Sequence, residues 1–299
     1  MKVPELLAPV GDFDCLVATV QNGEDSVYFG SYCFNARASA TNFDMYSIEK
    51  AIGYAKLRNV KTHLTLNTLI KEGEFIQAVN VANQIYSYAV DALIVQDLGL
   101  ARFLIKNFPD LPIHASTQQM TIHNLQGALA LQNLGFKRVV LAREVPIPEI
   151  KKICKNTNLE IETFLHGALC ISYSVQCLFS SLIGGRSGNR GKCAQAFRLP
   201  YELLKASKVV EKGYLLSPKD VCSVSVLPQL VNCGADCFKI EGRMKSPEYV
   251  ATVTSIYRKY IDSITQNIDS YAPNSVDMKK LQQVFNRGRI LHWSPSPYK

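Results

Sequence analysis

The alternation of short apolar runs with longer amphipathic segments constrains this chain more than any other feature. Leu6 to Pro9, Ser26 to Gly30, Thr62 to Asn67, Ala92 to Gln96, Pro112 to Thr117, Arg138 to Arg143, Glu160 to His166 and Cys237 to Glu241 have the length and composition of buried strands. Helical patterns occupy 12–22, 47–58, 73–88, 98–107, 122–134, 147–155 and about 247–265. Neighbouring parallel strands need a helical crossover between them, so the pattern predicts a parallel sheet. Eight strand–helix units close a barrel, and the expected fold is therefore α/β, a (β/α)8 TIM-barrel-like architecture. An open doubly wound sheet is the alternative.

One unit departs from the period. Residues 167–236 separate strand seven from strand eight, and an insertion that long inside a compact domain is usually functional. The barrel domain reads as 1–270 and a short extension as 271–299. The extension ends in RILHWSPSPYK, without periodicity, and reads as a shortened end.

Composition excludes several classes. A chain of 299 residues with 47% apolar and 19% charged residues is neither disordered nor fibrous. No apolar run approaches the ~18–20 residues of a membrane span. MKVPELLAPVGD lacks a basic segment followed by an apolar one, so the expected compartment is cytoplasmic. Nine cysteines, an odd count without a signal segment, point to reduced thiols. The net charge of +8 suits RNA as a partner, and equally an ordinary basic enzyme.

In a barrel the chemistry sits where strands end. Those ends carry Asn67, Gln96, Asp97, Ser116, Thr117, Gln118, Arg143, Glu144, His166, Glu241 and Arg243. The run of uncharged polar residues from Ser116 follows an apolar strand directly, as a hydrogen-bonding seat for a small polar ligand would. In the insertion, Cys193 follows Cys170 and Cys177, with Gly184, Gly185, Gly188 and Gly191 between. Spaced thiolates on a flexible loop suit zinc or an iron–sulfur cluster. The spacing lacks the C-x-x-C pairs of zinc ribbons, so metal ligation and three ordinary thiols both stand. A fourth ligand would come from Cys222, Cys233, Cys237 or His166. Arg186, Arg190, Lys192 and Arg198 interleave with the thiols, and Lys239, Arg243 and Lys245 follow in KIEGRMK. Together they would form a basic basin for an anion or for RNA phosphates.

ELLAPVGDFD, EDSVYFG, HASTQQMTIHN, RVVLARE, the long segment FLHGALCISYSVQCLFSSLIGGRSGNRGKCAQAFRLPYEL, YLLSPKD and FKIEGRMKSPEYVA resemble the U-32 peptidase family, the collagenase-like proteases, and LQQVFNRG continues the likeness. The resemblance implies iron–sulfur chemistry of oxygen-independent hydroxylation, directed at tRNA or rRNA pyrimidines with prephenate as oxygen source; other relatives assist ubiquinone hydroxylation. It implies a 4Fe-4S cluster on Cys170, Cys177 and Cys193. The family's further cysteine position is Phe197 here, in CAQAFR. Cys222 or another thiol substitutes, or three protein ligands suffice, or the cluster is weak or absent. The expected catalytic set is His166, Arg143, Glu144, Glu241 and Arg243. The expected substrate contacts are Asn67, Ser116, Thr117, Gln118, Arg186, Arg198 and Lys245, with Arg143, Arg243 and Lys245 on the donor's carboxylates. Two alternatives stand beside this. One is a peptidase, for which HExxH and G-x-S-x-G are missing and a Cys170–His166 dyad is the available chemistry. The other is a non-catalytic partner of a longer paralogous subunit.

Overall fold

The computed structural model describes residues 2–285, except 39, 118–121 and 175, together with 291–292. Strands β1 (Glu5–Pro9), β2 (Ser26–Gly30), β3 (Lys61–Leu66), β4 (Ala92–Val95), β5 (Ile113–Ala115), β6 (Arg138–Val140) and β7 (Glu160–Ala168) pair in chain order, each parallel to the next. A later strand, β11 (Cys237–Ile240), pairs in parallel with both β7 and β1. The sheet therefore closes into an eight-stranded parallel barrel, and the open-sheet alternative falls away.

The outer ring follows from local chemistry. Helices α1 (Phe13–Val20), α2 (Met45–Lys56), α4 (Leu98–Asn107) and α5 (Leu125–Asn133) each start on an Asp or Asn whose side chain accepts a first-turn backbone N–H. Such a cap contributes about 1 kcal/mol and fixes where the loop stops and the helix begins. Helices α3 (Phe75–Ser87) and α6 (Ile147–Asn156) complete the first six crossovers. Leu16, Ile48, Ile52, Leu104, Ile150 and Ile153 face the sheet and are essentially inaccessible to water.

The barrel interior differs from that layer. Strand side chains alternate with period two, and the inward set includes Glu5, His63, His114, Arg138, Glu162 and Lys239 beside Leu7, Tyr28, Ile94 and Cys237. At the base, Arg138 donates to both oxygens of Glu5 at 2.9 Å and to Glu160 at 2.7 and 2.9 Å.

After β7 the chain leaves the barrel. It forms α7 (Phe179–Gly184), an exposed hairpin of β8 (Tyr201–Lys205) and β9 (Lys208–Gly213), and β10 (Asp220–Cys222), which returns antiparallel to β7. Helix α8 (Leu227–Cys233) is the seventh crossover, so the excursion proper is narrower than 167–236. Gly167, with φ of +119°, lets β7 run past Glu241; a Cβ there would lie 2.7 Å from the Glu241 Cβ. Helix α9 (Pro247–Gln266) closes the ring and α10 (Ser275–Val284) packs on it. The strand β12 (Leu291–His292) pairs with β10. Among the described residues no helix is long and apolar enough to cross a membrane.

Candidate active site

The C-terminal strand ends surround an open cleft of about 440 Å³. Its floor and walls are the next inward positions of the same alternation: Thr65 and Asn67 after His63, Ser116 after His114, Val140 after Arg138, Phe164 after Glu162, Glu241 after Lys239. Register alone thus gathers Asn67, Ser116, Thr117, Arg143, Glu241 and Arg243 in one place. Gln118 lies outside the described residues.

Among the described residues Glu241 is the cleft's one lining carboxylate, facing Arg37, Arg143, Lys239 and Arg243. Arg143 donates to Glu241 Oε1 and lies over the Phe164 ring at 4.0 Å. Arg37 Nη2 is 3.7 Å from Glu241 Oε2. Burial pushes the Glu241 carboxyl up, but Arg143, Arg37 and Lys239 outweigh it and hold it below the ordinary value. Arg243 is spent on the scaffold. Its guanidinium donates to Asn35 Oδ1 and Asn42 Oδ1, both at 2.6 Å, and to Thr65 Oγ1 at 3.3 Å. Burial lowers its pKa to about 10, and it stays a cation at neutral pH. It supports the loop above it rather than reaching for a ligand.

His166 lines a second cavity, about 340 Å³, which shares Arg143, Phe164 and Glu241 with the first. Its Nδ1 is 3.2 Å from Tyr257 Oη. Burial lowers its pKa to about 4, so the imidazole is neutral at physiological pH.

Several expected residues are elsewhere. Glu144 accepts from Ser174 N at 2.6 Å and Ser174 Oγ at 2.8 Å; it pins the cysteine segment instead of facing the cleft. Arg198 is clamped on Leu169 O, Ser217 Oγ and Pro218 O, each at 2.6 Å, and holds the two ends of the excursion together. Arg186 is exposed beyond α7. The Lys245 ammonium lies over the Phe285 ring, outside the cleft. Arg37 is the lining cation that the sequence did not single out: it sits in a loop after β2 with no motif around it.

The role of Glu144 is testable. In Glu144→Ala the barrel should stay folded while the amide of Ser174 exchanges with deuterium at least tenfold faster, because a charge-assisted hydrogen bond is worth about 1.5–3 kcal/mol. Unchanged exchange at Ser174 would remove the anchoring role.

Cys170, Cys177 and Cys193 share one neighbourhood. Burial raises the Cys170 thiol, and the other two push it further up while Arg143 draws it down. Phe179 N donates to Cys177 Sγ and Gln195 N to Cys193 Sγ, both at 3.4 Å, the kind of N–H···S contact that tunes thiolate ligands. Among the described residues no three His, Cys, Asp or Glu side chains could hold a single metal ion. A cluster is wider than an ion, and three thiols on one segment suit three of its corners. Cys222, the expected substitute for the further ligand, is buried in the apolar core, its Sγ 3.7 Å from Tyr257 Oη. Phe197 is buried too, with the Arg198 guanidinium 4.7 Å from its ring centre.

Comparison with known proteins agrees with this architecture. A family model described as Peptidase family U32 matches residues 11–294. The 23S rRNA 5-hydroxycytidine C2501 synthase of Escherichia coli (strain K12) is 39% identical over 264 residues, covering 88% of this chain and 40% of that protein. The chain thus spans less than half the length of that relative. The tRNA hydroxylation protein P1 of Bacillus subtilis (strain 168) is 34% identical, over 96% of this chain and 69% of the relative. A protein named Collagenase from Porphyromonas gingivalis (strain ATCC BAA-308 / W83) is 35% identical, over 95% and 72%. Among solved structures, the U32 peptidase Mk0906 superposes with a TM-score of 0.53 at 16% identity, covering 81% of this chain and 94% of that one, a likeness of fold.

Proposed function

The chain belongs to peptidase family U32, and from that premise we propose that it is the barrel of an RNA hydroxylase that takes a small anion, prephenate or a similar carboxylate, as its oxygen donor. The observation that carries this is the cleft itself: four cations against one carboxylate, walled by Ser116 and Thr117, beside a segment with three neighbouring thiols. A carboxylate entering it exchanges water for guanidinium donors in a setting where charge-assisted hydrogen bonds are strong. Arg143 is placed to bind it, Phe164 supplies the apolar wall, and neutral His166 offers a hydrogen bond without adding charge. Cys170, Cys177 and Cys193 would hold a 4Fe-4S cluster, which when bound supplies one-electron transfer beside the cleft. RNA hydroxylation comes from the names of two relatives, and the basic excess of the chain fits a polyanionic substrate.

A peptidase finds less support in the site, although a relative bears the name Collagenase. A catalytic thiol needs its pKa lowered and a basic histidine at hand. Here the Cys170 thiol is raised, and the His166 Nδ1 faces Tyr257.

The test is expression under anaerobic conditions in cells stripped of their own RNA hydroxylases. RNA is then digested to nucleosides for mass spectrometry, with iron and sulfide measured on the purified protein. The expected result is a hydroxylated pyrimidine with wild type, lost together with most iron in Cys170→Ala. In Cys222→Ala the iron should be retained. Iron-free protein that cleaves peptides and leaves RNA unmodified would overturn the proposal. Activity only on adding a longer paralogue would make the chain an accessory subunit.

A further inference from the structure

The four cleft cations are not equivalent, and their partners rank them. Arg243 is buried and donates to three side chains. Lys239 is buried, 2.8 Å from Glu162 Oε1 and 4.1 Å over the Tyr28 ring. Arg143 is held by Glu241 and Phe164 and is 14% exposed. Arg37 is 34% exposed, and its contacts are weak: Ala36 O at 3.3 Å and Glu241 Oε2 at 3.7 Å, the latter beyond a hydrogen bond.

The backbone beneath that side chain is nevertheless fixed. Arg37 N donates to Asn35 Oδ1 at 2.9 Å, and Asn42 Nδ2 donates to Arg37 O at 3.0 Å. Asn67 Oδ1 accepts from Ala36 N at 3.0 Å, and Arg243 grips Asn35 and Asn42 from below. A rigid base under an uncommitted fork is what binding without an ordering cost requires.

A second contact reaches the same loop from above. Gly191, two residues before Cys193, has φ of +77°. A Cβ on it would lie 2.4 Å from Asn35 O and 3.1 Å from Ala38 Cβ. The cysteine segment therefore rests directly on the loop that carries Arg37. Arg190, next in sequence, is tied to Glu74 at 2.7 and 2.9 Å and to Leu69 O at 2.9 Å, which anchors that segment to the barrel.

We propose that Arg37 is the specificity-determining residue that captures the carboxylate of the incoming anion, and that Gly191 is a positioning residue that couples the seating of the cysteine segment to that capture. The proposal rests on reading the cleft as an anion site. Capture exchanges the long Arg37–Glu241 contact for a two-pronged guanidinium–carboxylate pair. Glu241 keeps Arg143, so its charge stays balanced. Lysine cannot replace the fork, because its ammonium makes a point contact.

The test is calorimetric titration of malonate, a small dicarboxylate probe, into the anaerobically purified full chain and its variants. Arg37→Gln should weaken binding at least tenfold, and Arg37→Lys three- to tenfold. Gly191→Ala should weaken it three- to tenfold with no charge removed. Lys208→Gln, on the exposed hairpin, should match wild type. Thermal unfolding of each variant shows whether the fold is retained, and Arg37→Gln, at a part-exposed position, keeps the test decisive if Gly191→Ala unfolds. Wild-type affinity in Arg37→Gln, with binding lost in Arg143→Gln, would overturn the assignment of Arg37 and leave the anion cleft standing. Wild-type affinity in a folded Gly191→Ala would overturn the coupling. Failure of the wild type to bind malonate would remove the anion cleft and this proposal with it.

Discussion

Arg243→Leu is expected to lower the unfolding free energy by about 2–4 kcal/mol and to abolish anion binding. The arginine fills the space under the loop at 31–43, and its removal strips donors from two amide oxygens, those of Asn35 and Asn42. Each oxygen keeps one other donor, Arg37 N on Asn35 and Asn35 Nδ2 on Asn42, so what is lost is two charge-assisted hydrogen bonds, about 1.5–3 kcal/mol each, offset in part by no longer burying the charge. The full cost of breaking a buried ion pair, about 3–5 kcal/mol, does not apply. No carboxylate is bonded to Arg243; burial is what mainly opposes its charge, and the repulsion from Arg37 is countered by Glu241. Removing the charge thus relieves some strain while removing the scaffold. The effect on binding is larger than the effect on stability, because the loop that loses its floor carries Arg37. Arg243→Lys should not rescue it, since one ammonium cannot span both asparagines. Urea unfolding measures the first effect as a lower midpoint at unchanged slope. A loss under about 1 kcal/mol, with malonate still bound, would show that the loop is held by its own hydrogen bonds.

The contrast between Arg243 and Arg37 shows how far sequence reading reaches in this molecule. The eight strands, six of the seven crossover helices and the closing helix α9 follow from periodicity, because that signal reports burial and burial is what the barrel imposes. The strand ends likewise place Asn67, Ser116, Thr117, Arg143 and Glu241 at one mouth, since closing the barrel brings every strand end to the same side. What the sequence could not rank is the state of each charge. Arg243 reads as a basic residue at a strand end and Arg37 does not stand out at all, and only their partners show the first to be a strut and the second an open fork. Glu144 and Arg198 differ from expectation for the same reason: a polar residue after a strand, or a basic one among loop thiols, serves the loop or the ligand, and sequence spacing does not say which. The burial of Cys222 was not legible either, because the strand that turns its side chain into the core, β10, is only three residues long. The helix α8 was lost inside the long excursion, since seven residues give too few turns for a period to register.

The barrel's base yields the last expectation, a reversal in how stability depends on pH. Arg138→Leu should cost about 3–5 kcal/mol at pH 7 and distinctly less near pH 4.5. In the wild type, burial pushes the Glu5 carboxyl up, but the bidentate hydrogen bonds and charge of Arg138 outweigh it and hold it well below the ordinary carboxylate value. Its contribution is therefore complete above about pH 4.3 and is lost only as pH falls further. Removing Arg138 leaves Ser26 Oγ at 2.6 Å, the exposed Lys61 at 3.7 Å and His63 at 3.9 Å around Glu5. Burial lowers the pKa of His63 to about 3, so it brings no charge at neutral pH, and Lys61 is screened by water. Glu162 adds a second carboxylate within 3.6 Å of the vacated guanidinium. With its main cation gone, burial decides, and the Glu5 pKa rises above the unfolded value. The folded variant then binds a proton that the unfolded chain releases, so its stability is present at low pH and falls as pH rises through the raised pKa. The wild type, fully ionised at Glu5, stays flat in this respect over the same window. Urea unfolding of both proteins at pH 4.5 and pH 7 decides the matter. An equal cost at the two values would mean that Glu5 finds another cation, and that the base of the barrel is held by more than Arg138.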